Sequence, residues 1–429
     1  MGVTIIIGGQ WGDEGKGKVT DALAARAHMV VRPNGSTNAG HTVQTPAGIY
    51  KFHLVPSGVL YPGCDCVIGA GVAIPPADLL DEIEDLTGRG IDMSSLYISD
   101  RANIIMPFHP LQDQLEETQR GSNNIGTTLR GNGPAYADKA GRRGIRMADL
   151  LDERALVERL NLIIPEKNVL LTSLYNQPPL DISELLEQFT AYGEKLAPRV
   201  VSSEMMVQDA IDAGKSVIIE GAQAAMLDID YGTYPYVTST SPTAAGACQG
   251  AGIGPTQVSN VVSVYKAYTT RVGGGPYPTE LDEETGDLLR RRGAEFGTTT
   301  GRPRRTGWFD GVAARYTARL NGVTHVAITK LDILDPLPEI QVCVGYELDG
   351  QVVHSPHAIA ETYGRVKPLF ETLPGWQEDT SQLTSYDQLP TNARRYIDRL
   401  EEIIGAPVVM IGLGPSREQL LWRREVDFA

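Results

Sequence analysis

Val3-Thr-Ile-Ile-Ile7-Gly8-Gly9-Gln10-Trp11-Gly12-Asp13-Glu14-Gly15-Lys16-Gly17-Lys18 decides how this chain folds. Five consecutive β-branched residues, Val3 to Ile7, read as a strand buried on both faces. Gly8–Gly17 is too rich in glycine for a regular element and reads as a loop, Val19–Ala27 carries helix formers, and Met29–Arg32 starts a second strand. Strand, loop, helix and strand make a βαβ unit, which opens a parallel sheet. In that setting the loop glycines let successive backbone N–H groups converge on an anion at a helix N-terminus, and Lys16 and Lys18 add positive charge. The loop is a phosphate cradle, yet it departs from the standard P-loop, which places Ser or Thr where Gly17 stands. A Mg²⁺ ion bound there needs another ligand, and Asp13 is the replacement this stretch offers.

The alternation continues outward from that unit. Leu79, Leu80, Ile83 and Leu86 fall at helical spacing before Gly88, and strands are expected near Leu96–Ser99, Ser216–Glu220, Val261–Tyr268, Val326–Thr329 and Val408–Ile411. Gln341–Glu347 and Gln351–His354 flank Asp349-Gly350 and predict an antiparallel hairpin. The expected fold is α/β: a large, mostly parallel central sheet flanked by helices, with a P-loop-like nucleotide site, long active-site loops and this hairpin as an appendage. No linker or low-complexity tract divides residues 1–429, so one functional unit is expected. Two stretches, 121–146 and 273–307, are longer than structureless connections usually are and are expected to carry the site.

Composition removes several classes of function. The 429 residues hold 38 Lys and Arg against 53 Asp and Glu, a net charge of −15, with 41% apolar and 21% charged residues. That is a folded, water-soluble protein whose charge is repelled by nucleic acid and by anionic membrane. Four cysteines are too few for a disulfide scaffold and lack zinc spacing, so they are expected to be reduced thiols. The N-terminus lacks a basic leader and no apolar run approaches the ~18 residues of a membrane span, which makes cytoplasm the expected compartment.

Further motifs sit at strand ends, where open α/β sheets bind ligands. Asn38-Ala39-Gly40-His41-Thr42 follows the second strand; if the first two strands are neighbours, His41 stands beside the phosphate loop and couples as an acid with Asp13 as a base. Thr329-Lys330-Leu331-Asp332 resembles the base-recognition element of GTP-binding proteins, because an ionised Asp accepts from both guanine N1–H and N2–H₂. Gly412-Leu413-Gly414-Pro415 reads either as a backbone wall on that base or as a plain turn. Gly297-Thr298-Thr299-Thr300-Gly301-Arg302-Pro303-Arg304-Arg305 sets three hydroxyls beside three guanidiniums, suited to a small dicarboxylate or a phosphate. Ile125–Thr128, Tyr236–Ser239, Gly221-Ala-Gln223 and Arg142-Arg143 offer hydroxyls, amides and charge for a second phosphate-bearing ligand.

Taken in order, Gly8–Lys18, Asn38–Thr42, Ile125–Thr128, Gly131–Tyr136, Glu220–Gln223, Asp228–Thr238, Thr299–Arg302 and Thr329–Asp332 resemble the motifs of the adenylosuccinate synthetase family over nearly the whole chain. The resemblance implies a cytoplasmic homodimer that uses Mg²⁺ and converts GTP, IMP and L-aspartate to adenylosuccinate, GDP and phosphate through 6-phosphoryl-IMP. It assigns catalysis to Asp13, His41, Lys16 and Gln223. GTP would be held by Gly12, Glu14, Gly15, Lys16, Gly17, Lys18, Gly40, Thr42, Arg304, Lys330, Asp332, Gly412 and Gly414. IMP would be held by Asn38, Thr128, Gln223, Thr238, Val272 and Arg302, with Arg142 reaching in from the other subunit. Aspartate would take Thr298, Thr299, Thr300, Gly301, Arg302 and Arg304, and Mg²⁺ would take Asp13 and the Gly40 carbonyl. The chain departs from the family at Ala224, Tyr231, Ser36-Thr37, Pro303 and Gly412-Leu413. Two rival readings stay open: a relative that aminates a 2-aminopurine nucleotide such as dGMP, which the presence of Asp13 disfavours, and a GTP-binding switch, which has no use for His41 or the arginine loop.

Overall fold

The computed structural model describes residues 2–121, 124–297 and 301–426. Eleven strands within them form one open sheet. Ten of these are β1 (Val3–Gly8), β2 (Met29–Gly35), β3 (Asp65–Ile74), β4 (Leu96–Ser99), β5 (Val200–Val201), β6 (Val217–Glu220), β7 (Val258–Lys266), β8 (His325–Thr329), β9 (Val408–Gly412) and β10 (Leu420–Trp422). They lie in the order β10-β9-β8-β7-β1-β6-β2-β3-β4-β5, and the two-residue strand Asn103–Ile104 extends the pairing of β3. Every pairing is parallel except that of β9 with β10.

The apolar runs follow from burial on both faces. Ile6 of β1 packs with Val19 and Leu23 of helix α1 (Lys16–Ala24), while Ile5 and Ile7 face Val31, Val67, Val207 and Ala247 on the opposite side. Each such side chain contributes roughly 1.5–3 kcal/mol by leaving water. The four cysteines are buried and free, as expected.

Several expectations change. β1 and β2 are not neighbours, because β6 lies between them and pairs with both. Periodicity ranks strands but carries no information about which distant segment inserts. β2 runs past Arg32 to Gly35, passing Pro33 at a break in its register with β3. Helix α1 starts at Lys16 rather than Val19, since Gly15 at φ 84° turns the chain directly into it. The stretches 121–146 and 273–307 contain helices Asn132–Ala140 and Glu283–Arg292. The first is disguised in sequence by Gly133-Pro134, although Pro is tolerated in a first helical turn. The hairpin forms as expected, with Leu348 opposite Gln351, and it belongs to a four-stranded sheet with Phe309–Asp310 and Lys367–Pro374.

Candidate active site

The phosphate loop is held from two sides. Gln10 donates through Nε2 to the carbonyls of Lys266 (3.3 Å) and Tyr268 (3.0 Å) and accepts from Lys266 N (3.0 Å), which binds the loop to the end of β7. Thr329 of β8 donates to the Glu14 carbonyl at 2.6 Å. Gly12 (φ 100°), Asp13 (φ 59°) and Gly15 (φ 84°) adopt left-handed backbone, which lets the loop fold back before α1. Among the described residues no side chain caps α1, which leaves its first N–H groups at the loop without a side-chain acceptor. A Cβ on Gly17 would stand 3.1 Å from the His41 Cβ. That contact explains why Gly replaces the P-loop hydroxyl residue.

The Glu14 side chain turns inward, into the loop itself. It is fully buried, its carboxylate accepts from the N–H groups of Gln10 (3.1 Å) and Gly12 (2.9 Å), and Lys16 Nζ lies 2.7 Å from it. Glu14 therefore shapes the loop and aims Lys16. Lys18 points away from the loop and donates to the carbonyls of Gly414 (2.7 Å) and Gln419 (3.0 Å), with burial lowering its pKa to about 8. Gly412 packs against it; a Cβ there would come within 2.8 Å of Lys18 Nζ. The turn Gly412–Gly414 is thus fastened to α1.

Asp13 and His41 do not pair with each other. Asp13 Oδ2 lies 3.0 Å from Arg304 Nε. His41, at the start of the hairpin His41–Thr45 with Gly48–Phe52, offers Nδ1 to Glu220 Oε1 in a short hydrogen bond. Glu220 also accepts from Arg32 Nη2 (3.2 Å) and from Ser57 N (2.9 Å) and Oγ (3.2 Å). Burial alone would raise the Glu220 carboxyl, but the Arg32 guanidinium and His41 hold it down at about 2. Burial, and next Arg32, lower His41 to about 4 despite Glu220. The carboxylate is ionised and the imidazole neutral, with Nε2 left as the nitrogen Glu220 does not engage. Replacing Glu220 by Ala strands Arg32, only 1% exposed, without its carboxylate, and is expected to destabilise the fold by about 3–5 kcal/mol, read as a shift in the denaturant midpoint.

The second-ligand residues converge in part. Gln223 (φ 57°) donates through Nε2 to Asn38 Oδ1 at 3.1 Å, and its Oε1 is buried with no hydrogen-bond partner among the described residues. The Ala224 departure is harmless to the backbone, because its φ of −154° suits any residue. Thr238 is half-buried and bonded through its N–H to the Leu227 carbonyl (2.9 Å). The N–H groups of Ile125, Gly126 and Thr127 are taken by the Glu117 carboxylate at 3.2, 2.8 and 3.3 Å, so they are not free donors, and Thr128 is exposed. Thr42 and Val272 are likewise exposed, and Gly40 is half-buried. Thr298, Thr299 and Thr300 lie outside the described residues. Gly301 and Arg302 are exposed, and Arg302 approaches the Gly126 turn, where a Cβ would stand 3.7 Å from its Nη1. Pro303 bridges to Phe296, so this departure sits in a small antiparallel contact without strain.

Two strands from β1, just after β8, Lys330 (φ 58°) donates to the Gly293 carbonyl (2.6 Å) and to Glu295 (2.7 Å). Asp332 and Asp335 line an open cavity of about 540 Å³. Asp335 is occupied by Trp376 Nε1 (2.6 Å) and Thr380 N (2.8 Å), whereas Asp332 Oδ1 is buried with no partner among the described residues. Burial, and next the Asp335 charge, raise the Asp332 carboxyl to about 6.

Arg32, Glu220, Lys266 and Glu295 were not singled out by role in the sequence. Three of them share a signal: each is the charged residue that ends an apolar run at the carboxyl end of a parallel strand, or interrupts it there.

A glycine-rich loop at a helix N-terminus, the Thr329–Asp332 element after β8 and Arg304 beside Asp13 gather at the carboxyl ends of the strands of an open, mostly parallel α/β sheet, the arrangement of a nucleotide-dependent ligase. The model of the adenylosuccinate synthetase family matches residues 5–421. The adenylosuccinate synthetase of Thermomicrobium roseum is 65% identical over 425 residues, covering 99% of each chain, and that of Pelotomaculum thermopropionicum is 50% identical, covering 99% of this chain and all of the relative. The fully ligated adenylosuccinate synthetase of Plasmodium falciparum superposes with a TM-score of 0.93 at 39% identity, over 99% of this chain and all of that one. The chain belongs to the adenylosuccinate synthetase family, and it is a GTP-dependent ligase that joins L-aspartate to IMP. A cyanophage S-2L succinoaminodeoxyadenylate synthetase bound to dGMP and dATP shares the fold, with a TM-score of 0.62 at 20% identity.

Proposed function

We propose that Asp13 is the base and Arg304 the carboxylate clamp of this ligation, on the observation that the two stand 3.0 Å apart at the mouth of the phosphate loop. Asp13 takes the N1 proton of IMP, and O6 attacks the γ-phosphorus of GTP, forming the O6–P bond as the bond to the β-phosphate oxygen breaks. Lys16 and the first N–H groups of α1 hold the transferring phosphoryl, and His41, protonated at Nε2 once the anionic nucleotide is bound, donates to the oxygen on which charge builds. The aspartate amine, its carboxylates on Arg302 and Arg304, then forms the N–C6 bond as the C6–O6 bond breaks and O6 leaves with the phosphate, which takes up the proton that the amine gives up. Asn38 and Gln223 orient the hypoxanthine ring; Thr128, Thr238, Val272 and Arg142 complete the IMP site. We take IMP over a 2-aminopurine substrate because Asp13 is present to remove N1–H and because the relatives at 50–65% identity are named for this reaction.

Mg²⁺ fits the residues present. Among the described residues no group of three His, Cys, Asp or Glu side chains could hold a metal ion. Mg²⁺ asks for less, binding through one or two carboxylates and completing its shell with water and substrate phosphates. The one-third-exposed Asp13 side chain and the Gly40 carbonyl would hold it, and it would neutralise phosphate charge. The enzyme works as a cytoplasmic homodimer in this reading; among the described residues no helix is long and apolar enough to cross a membrane. An ultraviolet assay of adenylosuccinate formation with each substrate omitted in turn tests the whole assignment: product without GTP, IMP or aspartate would contradict it.

Guanine recognition carries a pH signature. Asp332 must be ionised to accept two donors, and its carboxyl titrates near 6, so GTP binding is complete above that pH and weakens as pH falls through it. At pH 5 about one-tenth of the sites are competent, and the GTP dissociation constant is expected to be about tenfold weaker than at pH 8. Asp332→Asn turns an amide donor toward guanine, costs ~1–3 kcal/mol and flattens that dependence. Equilibrium titration across pH 5–8 checks both.

A further inference from the structure

Glu295 is fully buried and has no role in the chemistry above, yet four donors converge on its carboxylate: Lys266 Nζ (2.9 and 3.0 Å), Lys330 Nζ (2.7 Å), Arg304 Nη1 (2.6 Å) and the Tyr268 hydroxyl. Lys330 belongs to the guanine element and Arg304 to the arginine loop. The segment 290–295, which ends the helix Glu283–Arg292 and runs to Glu295, joins these two pieces by further contacts. Arg292 donates to the carbonyls of Asp332 (3.1 Å) and Ile333 (3.3 Å), Arg290 donates to the carbonyl of Arg304 (2.9 Å), and the Arg304 N–H donates to the Glu295 carbonyl (3.0 Å). Three cations around one carboxylate repel one another unless it is present, so the arrangement of each depends on the others.

We propose that Glu295 is a positioning residue that couples the two ends of the site, the segment 290–295 at the end of the helix Glu283–Arg292 transmitting guanine-nucleotide binding at Lys330 and Asp332 to aspartate binding at Arg304. The proposal rests on the assignment of those residues to guanine and aspartate. A nucleotide that fixes Lys330 fixes Glu295, and with it the guanidinium that receives the amino acid. The effect is reciprocal, as binding linkage requires.

The test is calorimetric titration of the full-length protein, with IMP present, using GDP and aspartate so that no turnover occurs. In the wild type GDP should tighten aspartate at least about threefold, and aspartate should tighten GDP by the same factor. Glu295→Gln keeps the side-chain volume and removes the charge; it should abolish that factor and weaken both ligands, with the IMP dissociation constant moving less than about twofold. A merely structural role would weaken IMP in step with the other two, and that result overturns the proposal, as does a coupling factor that is absent in the wild type or retained in the variant. Should Glu295→Gln fail to fold, Arg290→Met decides. It severs the contact to Arg304 while leaving the guanine element intact, so GDP alone should bind as before and the coupling factor should drop; an unchanged factor overturns the proposal. Lys330→Ala and Arg304→Ala separate the two levels of inference. If neither weakens its own ligand, the site assignment fails; if both do while Glu295→Gln retains coupling, only the role of Glu295 fails.

Discussion

Asp13→Asn and Asp13→Ala are both expected to lose at least roughly 10³-fold in kcat, about 4 kcal/mol of transition-state stabilisation, while GTP dissociation constants change by less than about threefold. The reason is a division of labour within the loop. The hydrogen bonds of Gln10 and Thr329, the Glu14–Lys16 pair and the uncapped start of α1 do not involve the Asp13 side chain, so the anion cradle survives the change. What disappears is the group proposed to accept the N1 proton of IMP, and O6 of the neutral base is a poor nucleophile. Asn is the cleaner replacement, because residue 13 sits at φ 59° and Asn tolerates that backbone better than Ala. Steady-state assays beside equilibrium GTP titration give the answer; near-wild-type turnover in the Asn variant would remove Asp13 from the base's role.

A subunit carrying Arg142→Leu and a subunit carrying Asp13→Asn, each inactive alone, are expected to regain about one quarter of wild-type activity when mixed equally. Half of randomly paired dimers are mixed, and one of two sites in each holds both native residues. The structural case rests on the contrast between two adjacent arginines. Arg143 is absorbed by Glu166 and Asp138 of its own chain. Arg142 is exposed, sits in left-handed backbone at φ 61° and makes no ion pair among the described residues. In a chain of net charge −15, such a guanidinium suits an anion outside its own chain. Native mass measurement must show that mixed dimers form; with dimers present and activity absent, Arg142 does not act across the interface.

Much of this was readable before any coordinates. The strand Val3–Gly8, the phosphate loop, the hairpin turn at Asp349-Gly350 and the Asp332 element are local: each depends on residues within a few positions, whose propensities and left-handed backbone preferences act whatever the rest of the chain does. The amphipathic spacing of the helix Pro76–Gly88 is of the same kind. Gln223 and Asn38, 185 positions apart, were both named from sequence, but nothing in the sequence placed one within 3.1 Å of the other.

What the sequence by itself determined was the class of the fold and the chemical types at the carboxyl ends of the strands. Only the tertiary structure decided which of those ends meet. The insertion of β6 between β1 and β2 puts Glu220, rather than Asp13, against His41, and the turn after the helix Glu283–Arg292 puts Glu295 among Lys266, Lys330 and Arg304. The physical reason is that strand order and the pairing of buried charges depend on non-local terms: sheet registry across more than two hundred residues, and the requirement that a carboxylate removed from water find cations and donors wherever the chain brings them. Local propensity is blind to both.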